Sequence, residues 1–350
     1  MMRSMSELKT VEWVHGHVRM IDQTQLPNHF VYVDLKDYRQ VSKAIRDMTV
    51  RGAPAIGVAA AMGMALAARA NAARKRDRLL KELEVAAETL KASRPTAQNL
   101  FWAVDRIMMR ARNTSQGEDV AAVVIKEAQR MAEEDVETNF SLGRYGAALI
   151  QDGDQVLTHC NTGTLATVNY GTALAPIRTA VREGKKVSVV ATETRPRLQG
   201  AKLTTYELLS DRIPVTLIVD GAAGYVISRG MVQRAIVGAD RITTRFVANK
   251  VGTYLIALAA NANRIPFYVA APTSTFDLRR ESSEIKVEER APEEVTHING
   301  TRVPPRGVHA YNPAFDLTPL ELVSGFITEK GVFTPDQLAA NPSTFNRESV

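Results

Sequence analysis

The 350-residue chain contains a single cysteine, Cys160, so it cannot form an internal disulfide. That fits a reducing compartment or simple indifference to redox, and the expected location is cytoplasmic. H-E-x-x-H, C-x-x-C and the acidic spacing of EF-hand loops are all missing, so no metal is expected in the chemistry. There is no Walker A motif and no G-x-G-x-x-G after the first strand, which disfavours a dinucleotide enzyme despite the sheet pattern described below; no cofactor is expected. The N-terminal MMRSMSELKTVEWVHGH lacks the apolar core of a signal peptide. Long hydrophobic runs are scarce too. The most apolar, APAIGVAAAMGMALAA from Ala53 to Ala68, is short for a bilayer span and reads as a buried helix of small residues, so no membrane partner is expected. The net charge of +6 could attract nucleic acid or a small anion, but aromatics make up 6% of the chain without a stacking motif. The densest basic cluster, RKRDR at Arg74–Arg78, runs into KELE and looks like a solvated helix face. Nucleic acid is not an expected partner.

What is present has two textures. After short alternating strands in VEWVHGHVRMID and a turn at LPNHF, apolar residues recur at helical spacing from Asp37 to about Arg112. NTSQGED, Asn113 to Asp119, is a loop, and one long helical stretch then runs to Ile150. Beyond it, QVLTHC, KKVSVVATE, PVTLIVDG, RAIVGAD and IPFYVAAP are short β-rich runs separated by helical stretches. This predicts a parallel sheet with crossover helices and strands covered on both faces. The expected organisation is a mainly helical domain over 1–118 with short N-terminal strands, a connecting helix over 119–150 and an α/β domain over 151–350. THINGTRV predicts a hairpin turning at Asn299-Gly300. The segment from Thr318 reads as a helix that frays at its end.

Ligands of an open parallel sheet bind beyond the carboxyl ends of its strands. Those ends carry Cys160-Asn161-Thr162-Gly163, Glu193-Thr194-Arg195, Asp220-Gly221, Gly238-Ala239-Asp240 and Thr273-Ser274-Thr275. Cys160 is expected where a strand ends and a helix begins, a position that favours a thiolate; a small buried filler is the competing reading. His159 should point to the opposite face from Cys160, which argues against a Cys–His dyad. Asp240, expected against an apolar strand end, would have a raised pKa suited to a general acid, or would simply cap a helix or turn. In RGAPAIG, Arg51, Gly52 and Ala53 precede a helix whose first turn accepts Pro54, an arrangement suited to phosphate. SRPTAQNL adds Arg94.

RGAPAIGVAAA, SRPTAQNL, THCNTGTLAT with NYGTAL, ETRPRLQGAKLT, IVGADRI, ANKVGTY, PFYVAAPTSTFD and NPAFDLTP, in that order from Arg51 to Pro319, together resemble the methylthioribose-1-phosphate isomerases. The same superfamily holds isomerases of ribose 1,5-bisphosphate and 5-deoxyribose 1-phosphate, and regulatory subunits of the initiation-factor exchange factor. The resemblance implies an α/β protein with a mostly helical N-terminal domain and a Rossmann-like parallel-sheet C-terminal domain. It implies a cofactor-independent, homodimeric aldose–ketose isomerase of methionine salvage, acting on a small sugar phosphate. Cys160 and Asp240 match the catalytic pair. Arg51, Gly52, Ala53, Arg94, Gln199, Asn249 and Lys250 match ligand-binding positions. Two loops depart from the family pattern: TTRF at Thr243–Phe246 and DGAAG at Asp220–Gly224. Both leave the C5 substituent open between methylthio, deoxy and phosphate, with Arg245 a conceivable cation for the last.

Overall fold

Alternation in VEWVHGHVRMID produces a hairpin, in which β1 (Val11–Val14) pairs antiparallel with β2 (His17–Ile21) around His15-Gly16, whose φ angles are 47° and 85°. β3 (Tyr32–Leu35) completes this small sheet. The computed structural model describes residues 4–95, 97–278 and 287–345. Helices follow as the periodicity predicts: α1 (Tyr38–Arg46), α2 (Ala53–Ala70), α3 (Arg76–Lys91), α4 (Gln98–Arg112) and α5 (Val120–Ala147). Asp37 caps α1, its carboxylate accepting from the Arg39 amide at 2.6 Å. Every residue of α2 from Ala55 to Ala68 is buried, as expected of a core helix. Its small residues are what let its neighbours approach: a Cβ on Gly57 would stand 3.0 Å from the Asn99 carbonyl oxygen of α4. The chain divides into two units. One takes the chain up to Phe140 together with Thr162–Leu174; the other takes Ser141–Asn161 and the chain from Ala175 onward.

The second unit is built on a sheet whose strands come from the runs identified in the sequence. In chain order the elements are β4 (Gln155–Thr158), α6 (Leu174–Arg182), β5 (Ser188–Thr192), α7 (Thr205–Ser210), β6 (Val215–Ile218), α8 (Ala223–Ser228), β7 (Arg234–Val237), β8 (Arg241–Ile242), β9 (Phe246–Lys250), α9 (Thr253–Ala262) and β10 (Phe267–Ala270). Next come β11 (His297–Ile298), β12 (Thr301–Arg302), β13 (Phe315–Pro319), β14 (Gly325–Thr328) and β15 (Gly331–Phe333). The main sheet runs β15-β14-β10-β7-β4-β5-β6, parallel from β14 to β6, with β15 antiparallel at one edge. Numbered by appearance, its parallel strands lie in the doubly wound order, which reverses between β4 and β7. A second sheet, β13-β9-β8, is antiparallel. The hairpin at Asn299-Gly300 is present, with φ of 51° and 79° at its two turn residues.

Two expectations are corrected. The segment from Thr318 is not a helix: it continues β13, then forms β14 and β15 before a short helix at Pro335–Ala340. GFIT is an apolar run too short to show a period, and pairing with β10 decides it, burying all four β14 residues. The expected fraying at the end lies outside the described residues. Nor are all strands covered on both faces: β6 is the sheet edge, and Thr216 and Leu217 on it are exposed.

One charged network sits inside the second unit. On α6, Arg178 is fully buried; its Nη2 donates to Glu207 Oε2 and its Nε to Asp211 Oδ2, both at 2.7 Å. The other Glu207 oxygen accepts from Asn161 Nδ2 at 2.8 Å, so the residue after Cys160 is anchored to this cluster. Removing one partner strands an uncompensated buried charge. Arg178→Ala should therefore destabilise the fold by about 3–5 kcal/mol, read as a lower urea midpoint at unchanged m-value.

Candidate active site

Cys160 and Asp240 follow β4 and β7, the two strands on either side of the order reversal. Leu157 and Ala235 are partners across that strand pair, and Thr158 Oγ1 donates to the Ile236 carbonyl at 2.8 Å. Cys160 lies three residues beyond Leu157 and Asp240 five beyond Ala235, so both sit past adjoining carboxyl ends. Two details differ from expectation. No helix starts at Cys160: a 3₁₀ turn at Thr164–Ala166 comes first and α6 begins at Leu174. Cys160 instead leaves the strand in the left-handed region, with φ of 63°, outside the right-handed helical conformation. Asp240 is exposed rather than packed against apolar strand ends, because Gly238-Ala239 carries it clear of β7 and its amide pairs with the Ala248 carbonyl at 2.9 Å.

His159 is locked away from general-base work. Its Nε2 lies 2.9 Å from the Val251 carbonyl and its Nδ1 lies 2.6 Å from Thr192 Oγ1. A carbonyl can only accept, so Nε2 carries the proton and Nδ1 accepts from the threonine hydroxyl. Burial pushes the imidazole below its usual pKa, keeping it neutral. The close approach of Gly252, where a Cβ would stand 3.0 Å from His159 Cε1, fixes the ring further. Around Cys160 the amide donates to Thr194 Oγ1 at 2.9 Å, and the carbonyl accepts from Thr204 Oγ1 at 2.6 Å. The Thr194 and Arg195 amides both donate to the Asp220 carboxylate, each at 2.7 Å. The strand-end reading contained Thr194 and Asp220 but gave neither a role.

Asp240, Asn249 and Lys250 share the antiparallel sheet β13-β9-β8 or its immediate edge. Asn249 is buried, its Nδ2 donating to Thr253 Oγ1 at 3.0 Å, and Lys250 Nζ stands 5.1 Å from the Phe315 ring centroid. Through His159 and Val251 the end of β9 is tied to the end of β4, so these residues belong to the same strand-end region as Cys160. Gln199 opens a π-helical turn, Gly200–Thr204, the turn that supplies Thr204. The Gln199 Oε1 atom is buried without a hydrogen-bond partner among the described residues. Only glycine fits at 200, since a Cβ there would fall 1.8 Å from the Thr192 carbonyl oxygen. Asp316, inside NPAFDLTP but not singled out from sequence, accepts from the Gly252 and Tyr254 amides at 2.7 and 3.1 Å at the start of α9.

The remaining predicted residues lie in the first unit. Arg51 and Gly52 lead into α2, and Arg94 precedes α4; both arginines are part-buried. Among the described residues no side chain caps either helix, leaving first-turn amides of the kind that bind anions. The Gly57–Asn99 approach brings these two helix starts together. Gly52 has φ of 92° and lies so close to Ala166 that a Cβ would stand 2.4 Å from its backbone. The turn carrying Ala166 is held in place by Thr10 Oγ1 on the Thr164 carbonyl, Gln23 Nε2 on the Leu165 carbonyl and the Val168 amide on Asp135 Oδ2, each at 2.7 Å. Thr96, in the same loop as Arg94, lies outside the described residues.

Residues 49–335 match the family model described as "Initiation factor 2 subunit family". The chain belongs to this family. Within the initiation factor 2 subunit family, its relatives include the methylthioribose-1-phosphate isomerase of Geobacter metallireducens, 51% identical over 95% of this chain and 97% of the relative. A putative methylthioribose-1-phosphate isomerase of Methanothermobacter thermautotrophicus is 50% identical over 94% and 99%. Among solved structures, the 5-methylthioribose 1-phosphate isomerase of Pyrococcus horikoshii superposes with a TM-score of 0.90 at 42% identity, over 97% of this chain and 95% of that one. A structure from A. fulgidus named as translation initiation factor eIF-2B subunit delta superposes at 0.88 with 45% identity, over 97% and 99%.

Burial pushes the Asp316 carboxyl from 3.8 up to about 6, against the two amides that favour its ionised form. Across that window the native chain holds more proton at this site than the unfolded chain, so the Asp316 contribution to stability falls as pH rises. Asp316→Asn should flatten that part of the slope. Urea midpoints of the two proteins, compared from about pH 4 to pH 7, check it.

Proposed function

We propose that the protein isomerises 5-methylthioribose 1-phosphate to 5-methylthioribulose 1-phosphate, a step of methionine salvage. The observation that carries this reading is the placement of Cys160 and Asp240 past the adjoining ends of β4 and β7, where the strand order reverses. The relatives named above support the substrate.

A sugar phosphorylated at C1 has no free hemiacetal, so its ring opens only when the ring oxygen is protonated. Asp240 is the acid for that step. Its residue is exposed, so a substrate can reach the carboxyl. Once the ring is open, Cys160, buried from water, takes the proton from C2 and delivers it to C1, while the C2 hydroxyl gives its proton back to Asp240 as the ketone forms. Arg51 and Arg94 hold the phosphate, with the Gly52 and Ala53 amides at the start of α2. Gln199, whose buried Oε1 has no partner among the described residues, and Asn249 and Lys250 orient the sugar. Holding the substrate through both proton transfers lowers the entropic part of the barrier. The reaction is redox-neutral within one molecule and needs no cofactor. We place the protein in the cytoplasm as a homodimer; the apolar residues exposed along edge strand β6 and helices α8 and α9, among them Leu217, Tyr225 and Leu255, support the pairing.

Cys160→Ser and Asp240→Asn should each lower kcat by at least about 10²-fold, with circular dichroism and urea midpoint unchanged. Turnover retained in both variants would overturn the assignment. A panel of ribose 1-phosphates varied only at C5 tests the substrate: methylthio should turn over best, ahead of deoxy and phosphate. The A. fulgidus neighbour's name favours a second reading, a non-catalytic regulatory subunit. That reading predicts no turnover with any member of the panel, together with co-purification of initiation-factor subunits.

A further inference from the structure

Cys160 and Thr194 follow neighbouring parallel strands, β4 and β5, and both hold left-handed φ angles, 63° and 64°. Neither is glycine, and a β-branched threonine in this region is strained, so the surrounding structure must hold it there. The restraints run in series across three strand ends. Past β6, Asp220 accepts the Thr194 and Arg195 amides through separate oxygens, both at 2.7 Å. Thr194, itself fully buried, then offers Oγ1 to the Cys160 amide at 2.9 Å. An amide held by a side chain rather than by a sheet partner fixes where the cysteine leaves its strand.

We infer that Thr194 and Asp220 are positioning residues for Cys160: Asp220 sets the strained turn after β5, and the Thr194 hydroxyl sets the backbone from which the thiol projects. This rests on the catalytic role assigned to Cys160 above, and neither residue touches a reacting atom. It gives the divergent DGAAG loop a task, since its first residue is the origin of the relay. It also explains why a threonine occupies position 194, where glycine would adopt the same φ at less cost: glycine has no acceptor for the Cys160 amide.

Because Cys160 is the one cysteine in the sequence, whole-protein alkylation by iodoacetamide reads that thiol alone, without substrate. Thr194→Val keeps the β-branch and removes the acceptor; Thr194→Ser keeps the acceptor. In Thr194→Val, kcat should fall about 10- to 100-fold with KM within about twofold, and alkylation should speed up by at least about threefold as the buried thiol is released. Thr194→Ser should restore both. Asp220→Ala should behave as Thr194→Val does, and if it fails to fold the threonine pair still decides the question. Wild-type kcat and alkylation in Thr194→Val, or equal damage in Thr194→Ser, would overturn the inference. Failure of the catalytic assignment shows separately, as retained turnover in Cys160→Ser, while the alkylation comparison remains valid.

Discussion

Two parallel strands, β4 and β7, lie side by side while the chain leaves them in opposite directions along the sheet. From β4 it crosses to β5 and β6; from β7 it goes on to β10 and β14. Neither connection passes over the gap between the two carboxyl ends, so a crevice is built into the topology. Everything assigned to chemistry in the second unit is arranged around that reversal. Cys160 stands past one strand and Asp240 past the other, and the sheet bearing Asn249 and Lys250 joins through the His159–Val251 hydrogen bond.

A crevice between strand ends is made of loops, and loops hold position only if their backbone groups are satisfied. The residues that do this here are polar, buried or half-buried, and mostly silent in chemistry. Asp220 takes two amides, Thr194 and Thr204 take the two backbone groups of Cys160, and His159 links Thr192 to Val251. Beneath them the Arg178–Glu207–Asp211 cluster holds Asn161, one residue from the thiol. The imidazole beside Cys160, the natural suspect for a nucleophile's base, is one of the silent residues. Its two nitrogens are spent on holding strand ends together.

Much of this was legible in the chain. Fully buried parallel strands read as continuous apolar runs, and β4, β5, β7 and β10 fall inside the segments picked out that way; the residues just beyond them include Cys160, Thr194 and Asp240. The helices of the first unit followed from their period, and the burial of α2 from its alanines and glycines. The failures have a common cause. β14 is too short to show a period, and its partner β10 lies more than 50 residues away. The helix expected at Cys160 gave way to a left-handed residue that no propensity signals. The exposure of Asp240 depends on where β8 and β9 take the chain, and the edge position of β6 on the order of strands. The return of Thr162–Leu174 to the first unit is a long-range event of the same kind.

The sequence by itself determined which residue types are available at each strand end, because local apolar runs and the residues that terminate them are short-range properties. It also carried the family, since eight motifs keep their order from Arg51 to Pro319. Only the tertiary structure decided which strand ends are neighbours. That choice puts Cys160 and Asp240 past adjoining strand ends and sets Thr194 and Asp220 beside Cys160, and it leaves His159 a strut. Strand order is set by packing energies summed over contacts far apart in the chain, and no local pattern contains that sum.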